Sequence, residues 1–582
     1  MIKFFDKEIN AVRYGMDSFR KKYRQESDTL NINEGYEQDP NVSRIIDSFS
    51  WLTAQNNIEI EKLKNQHIDS LINSVSPNLF KAIPDVINYS LNLDADVNKV
   101  ICLSNDNVLE VEIKEEKFKL TPAYPTNILP CKVIDTQHLS APFNHVTPKG
   151  LTTETCIRIV IGKIEDEIDL KQCLANDFVL HVSSNDTTER ALSDILQQAI
   201  AKMTLSSDHF EQPIVLNDDV FHPVVLNEKY LATPVKPNEI KTLFQFKEFF
   251  GCREKLNFFA VEHLPVDEIT VAEEVYLDLY VNINSEHVEL ISQLSFSLNK
   301  GLLRNLFKKQ SEPITVNNNE LSYPIFSDSN DQSNIKICSL DAIYHIEGER
   351  IKKVKHVLGS ELIDFKKELY WDQDVQLNHA GLEEYHLILP ILSSLIHATF
   401  YADITCSSTM IKNNIFTGDV IEETSSSFLP GEISIDGYSF QGNTSRVSND
   451  NYWQFLKLLS FNTSNLLNNA SAKSELVFYL GLLNDISSVC EEIQAIKSVQ
   501  VKASSHRFVI DGSVMFVAGN DITITLDNEQ KKANYYLFSA LLNDFYHALT
   551  SYDRYTSLTV EFTNFNWQSI EFSPKLGDRS TF

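Results

Sequence analysis

The sequence lacks the short motifs by which most enzymes are recognised. It contains no GxGxxG or Walker loop, no HExxH and no GxSxG. Among its 15 histidines, His138 and His145, and likewise His379 and His386, are seven residues apart, and neither pair has a third ligand at metal-site spacing. The sequence therefore predicts no catalytic residue, no metal ligand and no cofactor.

Cysteine is also sparse, with eight residues in 582 and no CxxC pair. This excludes the usual paired-cysteine zinc and redox motifs. Most of the cysteines lie in apolar runs, so we expect buried thiols in a reducing compartment. The eight positions are Cys102, Cys131, Cys156, Cys173, Cys252, Cys338, Cys406 and Cys490.

Long apolar runs are missing as well. The first residues, Met1–Asp6, carry charges where a signal peptide needs an apolar core. The most apolar run, Leu387–Ala402, contains Pro390 and His397 and is too short to cross a bilayer. We expect a cytoplasmic protein without direct membrane insertion.

Basic residues are in deficit. The chain has 51 Lys and Arg against 80 Asp and Glu, a net charge of −29. Such a chain would repel nucleic acid phosphates, so nucleic acid is not an expected partner. Residues 1–90 are nearly neutral, whereas the rest of the chain is strongly acidic. The acidity serves either solubility or the binding of a basic partner, and the sequence leaves both open.

Two helical patterns are present near the N-terminus, separated by a turn-rich joint. Each carries a narrow apolar seam with alternating spacings of three and four, which is typical of helices that pack on other helices. The second pattern begins at Asp39-Pro40 and predicts a rod roughly 45 Å long. Polar Asn56 and His67 on its seam are expected to fix register. The first seam is Phe5, Ile9, Val12, Met16, Phe19 and Tyr23, and the second is Val42, Ile45, Phe49, Leu52, Asn56, Ile60, Leu63, His67 and Leu71.

Beyond these rods the period changes to that of strands, which predicts an α+β multidomain protein. No period of 20–50 residues is present, so a solenoid is excluded. We expect an N-terminal helical region over residues 1–90 that bundles with a partner. A strand-rich domain with one helix is expected over 91–240, a mixed β-rich domain over 241–430 and a C-terminal α+β domain over 451–582.

Some local expectations follow from composition. A strand is expected at Val224–Leu226, a long loop over 350–380 and a linker over 417–450. Phe249, Phe250, Phe258 and Phe259 are expected in a core, on elements joined by a turn near Gly251–Arg253. Further strands are expected at Phe508–Ile510 and Ile522–Leu526, and a helix at Tyr535–Leu549.

Several segments, in the same order along the chain, resemble one family. Phe4–Arg13 resembles an opening "YYxxELxxLR", and Asp39–Ile46 resembles "DPhVeRLiea". Leu79–Pro84 is similar to a stretch ending in "IPS", with Asp85 in place of the serine. These patterns are those of the TssF (VasA/ImpG) family, the baseplate subunit of the bacterial type VI secretion system.

Three later segments extend this resemblance. Phe246–Phe259 resembles the family pattern "LQEYFxFPEKFxFF", with Arg253 in place of a proline, and Trp453–Asn462 resembles "WrLlshLSLN". Phe572–Arg579 resembles "WPPRxGxR" with its first two residues changed. The departures indicate a divergent member.

The resemblance implies a structural role and no enzymatic activity. Similar proteins form a wedge with TssG, TssE and TssK, in which two TssF copies clasp one TssG. Wedges surround the VgrG spike hub at the inner face of the inner membrane and nucleate the tube and contractile sheath. It further implies contacts between wedges, for which Pro574, Gly577 and Arg579 are candidates.

Two other classes remain open from the residues alone. One is an enzyme with an unrecognised site, which a pocket lined by convergent titratable groups would favour. The other is a soluble acidic chaperone or regulator of a basic partner, which a stable monomer would favour.

Overall fold

The computed structural model defines a mixed protein with about 26% helix and 44% strand, which confirms the α+β multidomain class. Packing divides the chain into two compact units, residues 1–75 with 448–456, and residues 76–447 with 457–582. The four-domain division remains a prediction. The described residues are 2–29, 44–58, 60, 76, 78–79, 83–93, 97–113, 116–165, 167–184, 192–207, 212–235, 239–269, 273–282, 291, 293–317, 320, 322–327, 334–357, 363–365, 368–377, 383–390, 395, 397–423, 431–439, 466–484, 490–510, 512–528, 533–564 and 568–577.

The described part of the first unit is helical. Its helices are Ile2–Lys22, Arg24–Thr29 and 44–58, and we call the third the seam helix. Asn57 on the seam helix donates a 2.8 Å hydrogen bond to Glu8 on the first helix. Ser50 and Ala54 on the seam helix are buried, so it packs inward with small residues.

A closed six-stranded barrel lies in the second unit. Its inner positions are buried β-branched, leucine and aromatic side chains, in keeping with the alternation in Leu109–Ile113. Gly431, at φ +130°, lies so close to the Asn92 carbonyl that a Cβ would overlap it. In order around the barrel the strands are Val86–Leu93, Lys300–Arg304, Glu116–Pro122, Leu109–Ile113, Val420–Glu423 and Gly431–Ser439.

The barrel corrects the expectation of a linker over 417–450. Residues 420–423 and 431–439 are barrel strands, although this stretch is rich in Ser, Gly and Asp. Ile433 and Ile435 are buried and face inward, whereas Val420 and Tyr438 are exposed. Residues 440–450 lie outside the described part of the chain.

Two further sheets share one hydrophobic core. The five-stranded sheet is, in order, Ile214–Leu216, Ile200–Ser206, Glu274–Val281, Thr155–Lys163 and Cys131–Ser140. The four-stranded sheet is Phe221–Pro223, Phe258–Val261, Phe178–Ser184 and Leu294–Ser297. Helices Leu170–Leu174 and Leu192–Ala199 and the small pair Ile101–Leu103 and Thr126–Ile128 complete this region.

The strand expected at Val224–Leu226 is wrong, because this segment is a 3-10 helix. The strand precedes it at Phe221–Pro223, and Pro223 ends the pairing. Other short 3-10 helices are Glu228–Tyr230, Arg253–Asn257 and Val266–Glu268.

An eight-stranded sheet follows, and it contradicts the loop expected over 350–380. Arg350–His356 and Tyr370–Leu377 are both strands. In the strand Arg350–His356 only Val354 is buried, and most other side chains are charged. The strand therefore lacks the alternation of apolar and polar residues by which strands are predicted. The other strands are Phe307–Gln310, Ile314–Thr315, Tyr323–Pro324, Ile335–Glu347, Glu383–Ile388 and Thr399–Ser408, and the short helix Ile411–Asn414 follows them.

The C-terminal residues form a five-stranded sheet with helices. Its strands are Ile496–Ile510, Ser513–Leu526, Tyr555–Phe562, Ile570–Glu571 and Lys575–Leu576. Its helices are Ala472–Leu483, Glu491–Gln494 and Tyr535–Leu549, and we call the last the C-terminal helix. The strands at 508–510 and 522–526 and the C-terminal helix are confirmed.

Candidate partner interface

The seam helix presents an apolar row to solvent. Ile45, Phe49 and Leu52 are 68%, 64% and 57% exposed, and helical Ile60 is 61% exposed. Asn56 lies exposed in the same row. These residues fall on one side of an α-helix because their spacings are three, four and eight. Val42, Leu63, His67 and Leu71 of the predicted seam lie outside the described residues.

The seam of the first helix is less open. Phe5, Ile9, Val12, Met16 and Phe19 are half-buried, and Tyr23 is 43% exposed. Phe19 and Tyr23 contact each other with ring centroids 5.3 Å apart. Two apolar rows on one helical unit form a surface of the kind that marks protein–protein interaction sites. The assignment of these residues to partner binding remains a prediction.

A second exposed apolar surface lies near the C-terminus. We call residues 505–510 and 512–518 the hairpin arm, because among the described residues these two strand segments pair only with each other. Val509, Val514, Met515 and Phe516 on it are at least half exposed. An isolated two-stranded ribbon is marginally stable in water, so this arm also suits a partner.

Of the three tail residues predicted to bind a partner, the structure describes Pro574 and Gly577. Lys575–Leu576 pairs with Tyr555–Phe562, and the Gly577 amide donates to the Arg554 carbonyl at 2.9 Å. A Cβ at Gly577 would overlap the carbonyl oxygens of Thr550 and Ser551. Half-buried Pro574 leads into this pairing, and Arg579 lies outside the described residues. Gly577 thus has a folding role in its own sheet, whereas partner binding by the tail remains a prediction.

The aromatic segment is a core element, as expected. We call Lys241–Gly251 the aromatic helix. Phe249, Phe250, Phe258 and Phe259 are all at most 2% exposed. Phe246 meets Phe538 and Phe545 of the C-terminal helix edge to face, with centroids 6.1 and 5.9 Å apart. At the turn expected near Gly251–Arg253, the aromatic helix ends at Gly251 and a 3-10 helix begins at Arg253.

A buried ion pair joins the aromatic helix to this 3-10 helix. Lys255 Nζ donates to Glu248 Oε2 at 2.5 Å and to the Tyr230 carbonyl at 2.7 Å. The other oxygen of Glu248 accepts the Thr233 amide at 2.8 Å. Lys255 and Glu248 are both fully buried. Because both charges are paired and hydrogen-bonded, the pair suits a structural role.

Arg253, which departs from the family pattern, has a partner in the C-terminal region. Its guanidinium donates two hydrogen bonds to Glu492, at 2.7 and 2.9 Å. Glu492 in turn accepts the Asn534 amide at 3.1 Å, just before the C-terminal helix. Burial alone would raise the pKa of Glu492, but the Arg253 hydrogen bonds and charge lower it. Sequence reasoning missed Glu492, because the two residues are 239 positions apart.

Asp194 caps the C-terminal helix from a different element. It accepts the amides of Tyr536 and Leu537 at 2.9 and 2.8 Å. The local residue before the helix, Asn534, makes no such side-chain bond. Burial raises the pKa of Asp194 to about 7, although the two amides oppose this. A tertiary cap of this kind leaves no local sequence signal.

We expect Asp194 to make stability depend on pH. Its ordinary pKa is 3.8 and its folded pKa is about 7, so its stabilising contribution is complete below pH 4 and is lost as pH rises to 7. This difference corresponds to roughly 4 kcal/mol between the protonation states. Asp194→Asn cannot titrate, so denaturant unfolding at pH 5 and pH 8 should show a smaller loss of stability with pH than in wild type. Exposed Asp219→Asn should keep the wild-type slope, and equal slopes in all three proteins would contradict this cause.

One group of described residues has metal-ligand types in proximity, namely His145, Cys156 and Asp278. Both oxygens of Asp278, however, accept 2.7 Å hydrogen bonds from Arg158. His145 Nε2 lies 3.0 Å from the Tyr280 hydroxyl. Burial raises the pKa of the Cys156 thiol, which opposes the thiolate that a metal needs. The residues fit a buried ion pair and not a metal centre.

In the described part of the chain, no helix combines the length and apolar character needed to cross a membrane.

Together, these features define a structural subunit of a larger assembly, with a mixed body and exposed apolar helical and hairpin surfaces. The family model described as type VI secretion system, TssF, matches residues 1–579, and the chain belongs to this family. It is therefore a structural component of the type VI secretion system and not an enzyme. Comparison of the sequence with curated proteins finds no match.

Solved structures show the same fold. A chain in the cryo-electron microscopy structure of the type VI TssK-TssF-TssG baseplate subcomplex is similar at a TM-score of 0.72 and 16% identity, with 92% of this chain and 99% of that chain covered. A chain in the structure of the baseplate complex from the type VI secretion system is similar at a TM-score of 0.55 and 16% identity, with 96% of each chain covered.

Proposed function

We propose that this chain is a baseplate wedge subunit that assembles with TssG and TssK. The observation that carries the proposal is the family match over residues 1–579. The neighbouring structure described as a TssK-TssF-TssG subcomplex supports the choice of partners. The exposed row Ile45, Phe49, Leu52 and Ile60 supports a helical bundle as the mode of assembly.

A finer proposal names the remaining partners and the place of assembly. Residues 1–90 form the core bundle with TssG and with a second copy of this chain, and TssE joins the same wedge. Wedges surround the VgrG spike, nucleate the tube and sheath, and dock at the inner face of the inner membrane. The nearly neutral charge of residues 1–90 supports their role in the bundle, since the strongly acidic remainder would repel a second copy.

Co-expression tests this proposal. We expect the chain to co-purify with tagged TssG of the same system at a ratio of about two to one, and TssK to join the complex. The ratio is measured by native mass spectrometry. A chain that stays monomeric in the presence of both partners would contradict the proposal and favour the acidic chaperone or regulator.

We also propose that the C-terminal region supplies contacts between wedges through the tail and the hairpin arm. Removing residues 578–582 spares the paired strand Lys575–Leu576 and the Gly577 hydrogen bond. We expect an intact isolated wedge but fewer sheath foci by fluorescence microscopy, because weak ring contacts act together through effective concentration. Normal foci would remove these residues from the mechanism.

A further inference from the structure

An open pocket of about 490 Å³ lies in the second unit. The barrel, the strand Phe178–Ser184 and the 3-10 helix Arg253–Asn257 supply most of its lining, and Leu192, Thr417 and Gly418 complete it. The lining groups used below are Asn88, His181, Glu254, Lys300, Thr417 and Asp436.

The barrel directs a carboxylate to this cavity through an irregularity in its pairing. Asn88 pairs with Gly437, but the next residue, Tyr89, pairs with Ile435, so Asp436 is an extra residue in its strand. Such bulges redirect side chains and occur often beside functional sites. Asp436 accepts a 2.6 Å hydrogen bond from Lys300, and this ion pair is internally neutral.

Glu254 is the carboxylate of the lining that is not part of this ion pair. It accepts a hydrogen bond from Asn88, but no cationic side chain of the described residues forms an ion pair with it. Burial raises its pKa, the Asn88 hydrogen bond opposes this, and the charge of Asp436 adds to the rise. A bound cation would relieve the cost of holding this carboxylate away from water.

Two more polar atoms in the lining have no hydrogen-bond partner. Asn88 is 3% exposed and His181 is 8% exposed, and neither Asn88 Oδ1 nor His181 Nδ1 has a hydrogen-bond partner. Burial lowers the pKa of His181 to about 4, so its ring is neutral near pH 7 and one ring nitrogen is an acceptor. An unpaired buried polar atom costs roughly 1–3 kcal/mol, which a donor-rich ligand would offset.

The spread of these groups selects the ligand. Within the described residues, the atoms here do not form a group of three close enough for one metal ion. A guanidinium is a planar cation with five N–H donors that point in different directions, whereas an ammonium is a point charge. We propose that this cavity binds a guanidinium group through the Glu254 carboxylate, either from a small molecule or from an arginine side chain of a partner.

Isothermal titration of the full-length chain with N-acetyl-arginine amide tests this proposal. The citrulline analogue, which has the same shape without the charge, is the ligand control. We expect the arginine compound to bind and the citrulline compound to bind at least tenfold more weakly. Glu254→Gln should weaken arginine binding at least tenfold, whereas exposed Glu268→Gln, on another 3-10 helix, should not change it.

A second variant separates binding from folding. Thr417 is exposed at the rim, so Thr417→Trp should block the cavity without removing a hydrogen bond of the lining. Both variants should keep the wild-type melting temperature. A dissociation constant below about 1 mM would indicate that the natural ligand is a small molecule. A larger dissociation constant with the same dependence on Glu254 would indicate an arginine side chain of a partner, because a tethered group gains from effective concentration. Absence of binding, or binding unchanged in Glu254→Gln and Thr417→Trp, would overturn the proposal.

Discussion

Replacing Lys255 with methionine is expected to destabilise the second unit by roughly 3–5 kcal/mol, because breaking a buried ion pair leaves an uncompensated charge. The remaining charge is Glu248, which is 0% exposed and lies on the aromatic helix. The Tyr230 carbonyl would also lose its donor. The measurement is the free energy of unfolding in urea, obtained from a signal that reports on the second unit.

A surface pair provides the matched control for Lys255→Met. Lys241 and Glu228 form an ion pair at the same 2.5 Å separation, but their side chains are 44% and 51% exposed. Exposed pairs contribute only about 0–1 kcal/mol, so Lys241→Met should change stability little. The double variant Glu248→Gln, Lys255→Met should recover part of the loss, because it buries no charge. If Lys255→Met and Lys241→Met had equal effects, the buried pair would have no special structural role.

The sequence predicted the aromatic core well, because its signal is local. A dense run of phenylalanines has few alternatives to burial, and Phe249, Phe250, Phe258 and Phe259 are all buried. The partners of the charged residues in the same run could not be predicted. Glu492 meets Arg253 only through the fold, and Asp194 caps a helix more than 340 residues away.

The wrong expectations have a common physical origin. In Arg350–His356 and in the barrel strands Val420–Glu423 and Gly431–Ser439, few side chains face a core, so composition indicated loops. Their strand character comes from backbone pairing, which for Arg350–His356 is with the preceding strand Ile335–Glu347 and for Gly431–Ser439 is with the distant Val86–Leu93. Backbone pairing carries little side-chain signal, and local patterns therefore underestimate surface strands.

For the N-terminal helices the sequence predicted an apolar row, but it could not tell whether the row was covered within the chain. The structure shows that the row of the seam helix is exposed in the single chain, because the helix packs inward through Ser50 and Ala54. Because the row is exposed, the effect of a substitution on assembly can be distinguished from its effect on folding. A change on the exposed row should affect assembly without affecting the folding of the chain.

Phe49→Asp is accordingly expected to abolish assembly with TssG while the chain alone keeps its melting temperature. This prediction depends on the proposed function. Phe49 is 64% exposed, so a carboxylate there stays hydrated in the free chain. In a closed bundle the same carboxylate would be buried without a partner, at a cost of several kcal/mol, which corresponds to a loss of affinity of more than a hundredfold. Gln55→Asp adds the same charge to an exposed position off the row and should leave the complex intact.

Both variants are compared by pull-down with tagged TssG and by thermal melting. If Phe49→Asp still assembles, the row is not the interface, and if it unfolds the free chain, the row is covered within the chain.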